Sequence, residues 1–322
     1  MAPVSFSFPP LPVVIREVWQ HNLEEEFHLI KIAAMTHHMV SMDTEFPGVV
    51  YRPANVDKRC LGKLSPVMNY QIMKENVNAT NIIQLGLALC DDHGNLPNFG
   101  TMSQYVWQFN FSDFDVYTDL QNTDSIDLLK RQGIDFDRNL EEGIDSAHFA
   151  ALMARSGLLF NPNGSDFAWV TFHGSYDLAH LMKILTRDKQ LPNDLSQFMC
   201  MVCIVFGRKV FDMKNMMKFC DGLYGGLENL SNTLGVQRVA GKCHQAGSDT
   251  LLTMQTFRRF LDIYFKQKSE SGLRHNGHLL ARFQCVLNGL EPNNYFDQFN
   301  ESLKPFDQFN GSLKPFGDQL CV

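Results

Sequence analysis

The order in which strand-like and helical stretches follow one another limits what this chain can fold into more than any other feature. Residues 38–51 (HMVSMDTEFPGVVY), 81–90 (NIIQLGLALC) and 105–111 (YVWQFNF) have the β-branched and aromatic composition of strands. Asp91-Asp92-His93-Gly94 behind the second of them is a hairpin-turn signal. A fourth such run, 167–172 (FAWVTF), returns only after a helical interval. Helical spacing governs residues 15–30, where Ile15, Trp19, Leu23, Phe27 and Ile30 recur at three- and four-residue steps, and then 126–131, 145–156, 177–185, 195–205, 213–220, 227–234 and 251–265. Strands first, helices later and one strand returning among them predict an α/β domain, a mixed β-sheet flanked by helices. No linker divides residues 12–285, so the expected organisation is a Pro-rich leader over 1–11, one domain over 12–290 and a tail over 291–322. The tail carries a direct repeat, DQFNESLKPF then DQFNGSLKPF, and two copies are too few to stack as a solenoid, so it reads as a disordered tail.

Composition removes whole classes. With 322 residues and 44% apolar content the chain can bury a sizeable core, so it is neither a disordered protein nor a small disulfide scaffold. The longest apolar run, FMCMVCIVF at 198–206, is far short of the roughly 20 residues of a membrane span. The first residues have no basic n-region, so no secretory signal is expected and the protein should stay inside the cell. The 8 cysteines are scattered, which favours buried thiols over bridges, and Cys200-Met-Val-Cys203 has no second pair with which to make a zinc site. A net charge of −7 means that any nucleic acid would be held by a local basic patch or by bound cations.

Three places can carry chemistry. In Asp43-Thr44-Glu45 the two carboxylates are two apart on a strand, so they project to one face, and their apolar neighbours Val40, Met42, Val49 and Val50 place them where like charges need a counter-ion. Asp177 stands at the junction of the returning strand and a helix, where Ser or Asp also serves as an N-cap. His244 and Ser248-Asp249 sit in a Gly-containing loop that runs into the last long helix, and Ser248 there is a candidate cap. Singly, each has an ordinary structural explanation. Together, in this order, they make a pattern.

Asp43, Glu45, Asp177, then His244 five residues before Asp249, resembles the DEDD exonuclease pattern with a histidine in its third motif. The runs MDTEFPGVVYRP, QLGLAL, GIDF, EEGID, FHGSYD, FDMKNMMKFC, GGL and RVAGKCHQAGSDTLLT narrow it further. They are similar to the Pop-two (Caf-one) poly(A) ribonucleases, the DEDD deadenylase subunit of the CCR-NOT complex, and the cysteine of the third motif is most like plant members. The resemblance covers about residues 12–268 and implies a ribonuclease H-like fold. It departs from the family at Gly174-Ser175, where Ser-Gly is usual, at Leu178-Ala179-His180, where an aromatic-Gly-Tyr run is usual, and at Thr250, where Ser is commoner.

The resemblance implies a 3′–5′ exoribonuclease that shortens poly(A) tails and releases 5′-AMP by two-metal-ion hydrolysis. Asp43 would bridge two divalent ions, Glu45 and Asp249 would complete one site, Asp177 would hold the second largely through water, and His244 would take the proton from the nucleophilic water or orient it. All-oxygen ligands suit magnesium or manganese. Phe46, Phe172 and Tyr176 flank the motifs and receive no role. The implied partners are a poly(A) RNA 3′ end, the CCR-NOT scaffold subunit and a second deadenylase linked through leucine-rich repeats, with no membrane, in nucleus and cytoplasm. The competing reading is a noncatalytic assembly subunit bridging scaffold and second nuclease; clustered buried acids argue against it, since assembly alone gives no reason to keep them.

Overall fold

The computed structural model describes residues 11–52, 64–160, 167–187, 190–269, 272–275 and 277–292. Strands β1 (Val13–Val18), β2 (Met39–Glu45), β3 (Gln84–Cys90), β4 (Gln104–Asn110), β5 (Ala168–Thr171) and β6 (Val210–Asp212) form one sheet in the order β1-β4-β3-β2-β5-β6. The sheet is mixed: β3 runs antiparallel to β2 and β4, while β1 with β4, β2 with β5 and β5 with β6 are parallel pairs. The helices are α1 (Leu23–Ala34), α2 (Pro66–Ala79), α3 (Thr123–Gln132), α4 (Phe136–Glu142), α5 (Ser146–Met153), α6 (Ser175–Thr186), α7 (Leu195–Phe206), α8 (Met213–Met216), α9 (Leu227–Thr233), α10 (Ala246–Tyr264) and α11 (Gly277–Ala281). A small hairpin, β7 (Lys266–Ser269) with β8 (Gly272–His275), follows α10. Among the described residues no helix is long and apolar enough to cross a membrane.

Period-two alternation along β3 decides what covers each face of the sheet. Leu85, Leu87 and Leu89 enter the main core with Phe27 and Ile30 of α1, Phe149 of α5 and Leu178 and Leu181 of α6. Ala88 and Cys90 point the other way and pack with Leu251 and Met254 of α10. Each fully buried Leu, Phe or Met contributes about 1.5–3 kcal/mol relative to exposure, so burial on both faces holds the helices to the sheet, with Leu251 and Met254 the anchors of α10. Gly86 lies on the α10 side. A Cβ there would stand 1.9 Å from the Ala246 carbonyl oxygen, so the N-terminal turn of α10 rests directly on the β3 backbone.

The free N–H groups at the start of α10 are taken up by side chains of the sheet beneath. The Gly247 N–H donates to Gln108 Oε1 at 3.0 Å and the Ala246 N–H to Gln84 Oε1 at 3.4 Å. Gln108 Nε2 in turn donates to the Glu17 carboxylate, and Gln84 Nε2 donates to Asn110 Oδ1 at 2.7 Å. These buried amides fix the height and rotation of the helix that carries Asp249.

Several expected elements differ. The helix read over 15–30 is two elements: Val13, Val14 and Ile15 are β-branched and pair in register with β4, and α1 begins only at Leu23. The strand read over 38–51 ends at Glu45. Helix α10 starts at Ala246 and not at 251, so Ser248 and Asp249 belong to its first turn. The leader up to residue 10, and both copies of the repeat at 297–306 and 307–316, lie outside the described residues. The six described cysteines, Cys90, Cys200, Cys203, Cys220, Cys243 and Cys285, are free thiols.

Candidate active site

Strand register and two helix starts bring the acidic residues together. Asp43 and Glu45 lie on β2, opposite Gly86 and Gln84 of β3, and face the first turn of α10 that carries Asp249. One oxygen from each of these three carboxylates lies within 4.8 Å of the others. Asp177 is not in that close set. It sits in the first turn of α6, where its Oδ1 accepts the Thr44 N–H at 2.9 Å and the Thr44 hydroxyl at 2.5 Å. Asp177 is therefore no helix cap: its carboxylate reaches across to β2 and docks the start of α6 beside the cluster.

His244 lies two residues before α10, next to its N-cap residue Gln245. Its N–H donates to Asp249 Oδ2 at 2.9 Å and its φ is 58°, a left-handed conformation that turns the chain into the helix. Ser248, a candidate cap from the sequence, does not cap the helix. The N-cap position is Gln245, and the Ser248 hydroxyl donates to the Ala240 carbonyl at 2.6 Å and accepts from Arg238 Nη1 at 2.6 Å.

Burial and mutual repulsion act on the acids in the same direction. Asp43 is pushed well above the usual carboxylate range by burial, then by the charges of Asp177, Asp249 and Glu45. Glu45 is raised by burial, then by Asp249 and Asp177. Asp177 is raised to about 7 by burial, against the opposing pull of its two bonds from Thr44. Asp249 is also raised by burial, opposed by Arg238 and by the His244 N–H. A cage of oxygen donors that resists ionising together is what a divalent cation relieves, and hard oxygen ligands at this spacing fit magnesium or manganese.

Five contributors were not legible as site residues. Thr44 was read only as the spacer between two acids. Arg238 places Nη2 2.6 Å from Asp249 Oδ1 and 2.8 Å from Glu228 Oε2, neutralising one edge of the cluster. Asp212, fully buried at the end of β6, accepts N–H bonds from His173 at 2.8 Å, Lys214 at 2.9 Å and Asn288 at 2.9 Å. It thereby fixes the turn into α6, where Gly174 is needed because a Cβ would stand 2.2 Å from Thr171 Oγ1. Gly86 sets the approach of α10. His180 stacks on Phe46 at 4.9 Å, and Phe46 stacks on Tyr176 at 5.3 Å with planes 8° apart. Burial lowers the His180 imidazole to about 3, so it is neutral, and its buried Nε2 has no hydrogen-bond partner among the described residues. Phe172 lies under the Lys214 ammonium, 5.8 Å from ring centroid to Nζ.

The mixed sheet, its flanking helices and this acidic cluster define the DEDD exonuclease fold. The profile of the CAF1 family ribonucleases matches residues 18–152. The chain is 47% identical over 254 residues to the probable CCR4-associated factor 1 homolog 7 of Arabidopsis thaliana, covering 79% of this chain and 88% of that one. It is 39% identical over 291 residues to the poly(A) ribonuclease pop2 of Schizosaccharomyces pombe, covering 88% and 82%. Among solved structures it is similar to the Mg2+- and Mn2+-bound form of S. pombe Pop2p, with a TM-score of 0.72 at 37% identity over 87% of this chain and 100% of that one. It is also similar to a structure of the yeast NOT1 MIF4G domain co-crystallised with CAF1, with a TM-score of 0.65 at 30% identity over 88% and 99%. The chain belongs to the CAF1 family of ribonucleases.

Proposed function

We propose that this protein is a poly(A)-specific 3′–5′ exoribonuclease that removes adenylate residues from the 3′ end of RNA as 5′-AMP, with two divalent ions, magnesium or manganese, in its site. The observation that carries the reading is the convergence of Asp43, Glu45 and Asp249 within 4.8 Å, with Asp177 docked beside them through Thr44. The kinship with a poly(A) ribonuclease of fission yeast supports the substrate.

Asp43, Glu45 and Asp249 would hold the cations from the β2 and α10 sides, and Asp177 from the α6 side. Bound there, the ions supply Lewis-acid activation of water and neutralise charge on the attacking and leaving oxygens. The chain's own groups do the rest. His244, whose N–H is anchored to Asp249 and whose ring nitrogen lies within 4.8 Å of an Asp249 oxygen, would take a proton from the attacking water or orient it. Arg238 holds Asp249 in its rotamer from the outer side. The stacked Phe46 and Tyr176 form an aromatic wall beside Asp177, a surface of the kind on which bases stack.

A helical scaffold of the NOT1 type is the proposed assembly partner, supported by the similarity to yeast CAF1 in its co-crystal with NOT1. The purified chain, 5′-labelled RNA ending in an A-tract, and magnesium decide the catalytic part. Stepwise shortening that stops at the end of the tract, absent in chelator and in Asp43→Ala, is expected. Equal cleavage by Asp43→Ala would refute the cage; no cleavage by the wild-type chain would refute the activity.

A further inference from the structure

A second metal-ligating cluster adjoins the acidic cage and is chemically different from it. The Cys243 sulfur, a His244 ring nitrogen and an Asp249 carboxylate oxygen lie within 4.8 Å of one another. Sulfur, imidazole and carboxylate together are the donor set of zinc, whereas the neighbouring cage offers oxygen alone. Three protein ligands leave a fourth tetrahedral position for water. In such a site the donors stand roughly 3.4–3.6 Å apart, as follows from zinc bonds of about 2.0–2.3 Å, so side-chain rotations of about an ångström would close it.

The backbone explains how two consecutive residues can serve one ion. In extended chain Cys243 and His244 would point to opposite sides. The left-handed conformation of His244, φ 58°, removes that alternation, and its N–H bond to Asp249 Oδ2 holds the loop against the first turn of α10. Cys243 is half-buried, is grouped with neither Asp43 nor Glu45, and is not needed by the hydrolytic arrangement above.

We propose that Cys243, His244 and Asp249 form an inhibitory zinc site. Asp249 belongs to both clusters. Zinc bound by this trio takes Asp249 from the magnesium cage and His244 from proton transfer, so zinc arrests hydrolysis without filling the cage. The inhibitory consequence rests on the exonuclease reading; the existence of the site does not.

The test separates the two. The full-length chain in saturating magnesium is titrated with cobalt(II) as a spectroscopic stand-in for zinc, and near-ultraviolet thiolate-to-cobalt charge-transfer absorption is followed. The band is expected in the wild type and in Asp43→Asn, and is expected to vanish in Cys243→Ser. It should be displaced by stoichiometric zinc. A wild type without the band, or a band that persists in Cys243→Ser, overturns the site whatever the enzyme's activity. RNA shortening in magnesium is then titrated with zinc. Cys243→Ser should match the wild-type rate without zinc and need more than about tenfold more zinc for half inhibition, since loss of even an outer partner of a zinc ligand costs about 10–100-fold in affinity. Equal zinc sensitivity of the two proteins would overturn the inhibitory role.

Discussion

Gly86→Ala probes how closely α10 must approach the sheet for the acidic cage to exist. The new Cβ would lie 1.9 Å from the Ala246 carbonyl oxygen and 2.8 Å from the Gly247 nitrogen, both backbone atoms. Real Cβ contacts essentially never fall below 3.0 Å, so the helix start must retreat by at least 3.0 − 1.9 = 1.1 Å. Two consequences follow. Overpacking of this kind costs about 1–3 kcal/mol, and here the far side cannot yield by a rotamer change, so the upper part of that range applies. The retreat also draws Asp249 away from Asp43 and Glu45, whose oxygens now meet within 4.8 Å. A misplacement of about 1 Å in a catalytic constellation lowers the rate by about 10²-fold.

Gly247→Ala is the matched comparison. Its Cβ would meet Ile15 Cγ2 at 2.8 Å and Gln108 Cβ at 2.9 Å, so the retreat it demands, 3.0 − 2.8 = 0.2 Å, is far smaller, and alanine favours the helix by about 1 kcal/mol over glycine. The two variants are compared by thermal melting in chelator, by melting in magnesium, and by single-turnover cleavage of an A-tailed RNA. Gly86→Ala should melt lower than Gly247→Ala, lose most of the magnesium-induced rise, and cleave about 10²-fold more slowly. Wild-type melting and cleavage by Gly86→Ala would refute the seating of α10 on β3.

The other expectations are shorter. Asp177 holds its proton up to about pH 7 in the folded, metal-free protein but releases it near 4 when unfolded. Its contribution to metal-free stability is therefore full below pH 4 and lost as pH rises through 7; Asp177→Asn should flatten that fall in denaturant titrations across pH 4–8, and an unchanged slope would contradict the raised value. Magnesium binds only the folded cage, so at about 100 times its dissociation constant it should stabilise by about 2.7 kcal/mol, a gain that Asp43→Ala removes. His244→Ala should slow cleavage by about 10²–10⁴-fold while leaving magnesium-dependent melting intact, as expected for a proton-transfer group; loss of the melting response would make it a ligand instead. His180→Phe keeps the stack on Phe46 and removes a buried nitrogen with no partner among the described residues, so it should stabilise by about 1 kcal/mol, and a lower melting temperature would show that Nε2 is satisfied.

What the sequence disclosed was local in origin. Period-two geometry alone puts Asp43 and Glu45 on one face of a strand, a strand-to-helix junction marks Asp177, and a Gly-containing loop running into a helix marks Asp249. The misreading of Ile15 and Trp19 as helical has the same root: residues spaced by four satisfy a helix, but every fourth residue also shares a strand face, and pairing of β1 with β4 decided between them. Helix α2 escaped notice because its pattern is diluted by exposed Val67 and Met68. Gly86 and Asp212 act on partners far along the chain, and Arg238 on carboxylates about three helical turns of chain away on either side, so their roles at the site are not written in the residues next to them; the local cap that Asp212 gives Lys214 does not disclose its bonds from His173 and Asn288. Asp212 looks like an ordinary acidic residue after Phe211, yet its carboxylate collects three N–H groups from three segments.

The separation of Asp177 from the other three acids follows from where the sheet stops. Strand β5 pairs with β2 only at Met39, Val40 and Ser41, and then turns through residues 172–174 into α6. Past Ser41, the β5 side of β2 has no neighbouring strand among the described residues, which leaves the Thr44 N–H free to donate elsewhere. The Asp177 carboxylate takes it, together with the hydroxyl of the same residue. On the other side, pairing with β3 continues through Glu45 and holds β2 in register, so Asp43 and Glu45 stay turned toward α10. One tripeptide thus serves two helices. Its outer residues present charge to α10 and its middle residue receives the charge of α6. A slip of β2 by one residue would reverse all three assignments at once, which is why the site is built on a strand paired on both sides up to the point where the acids begin.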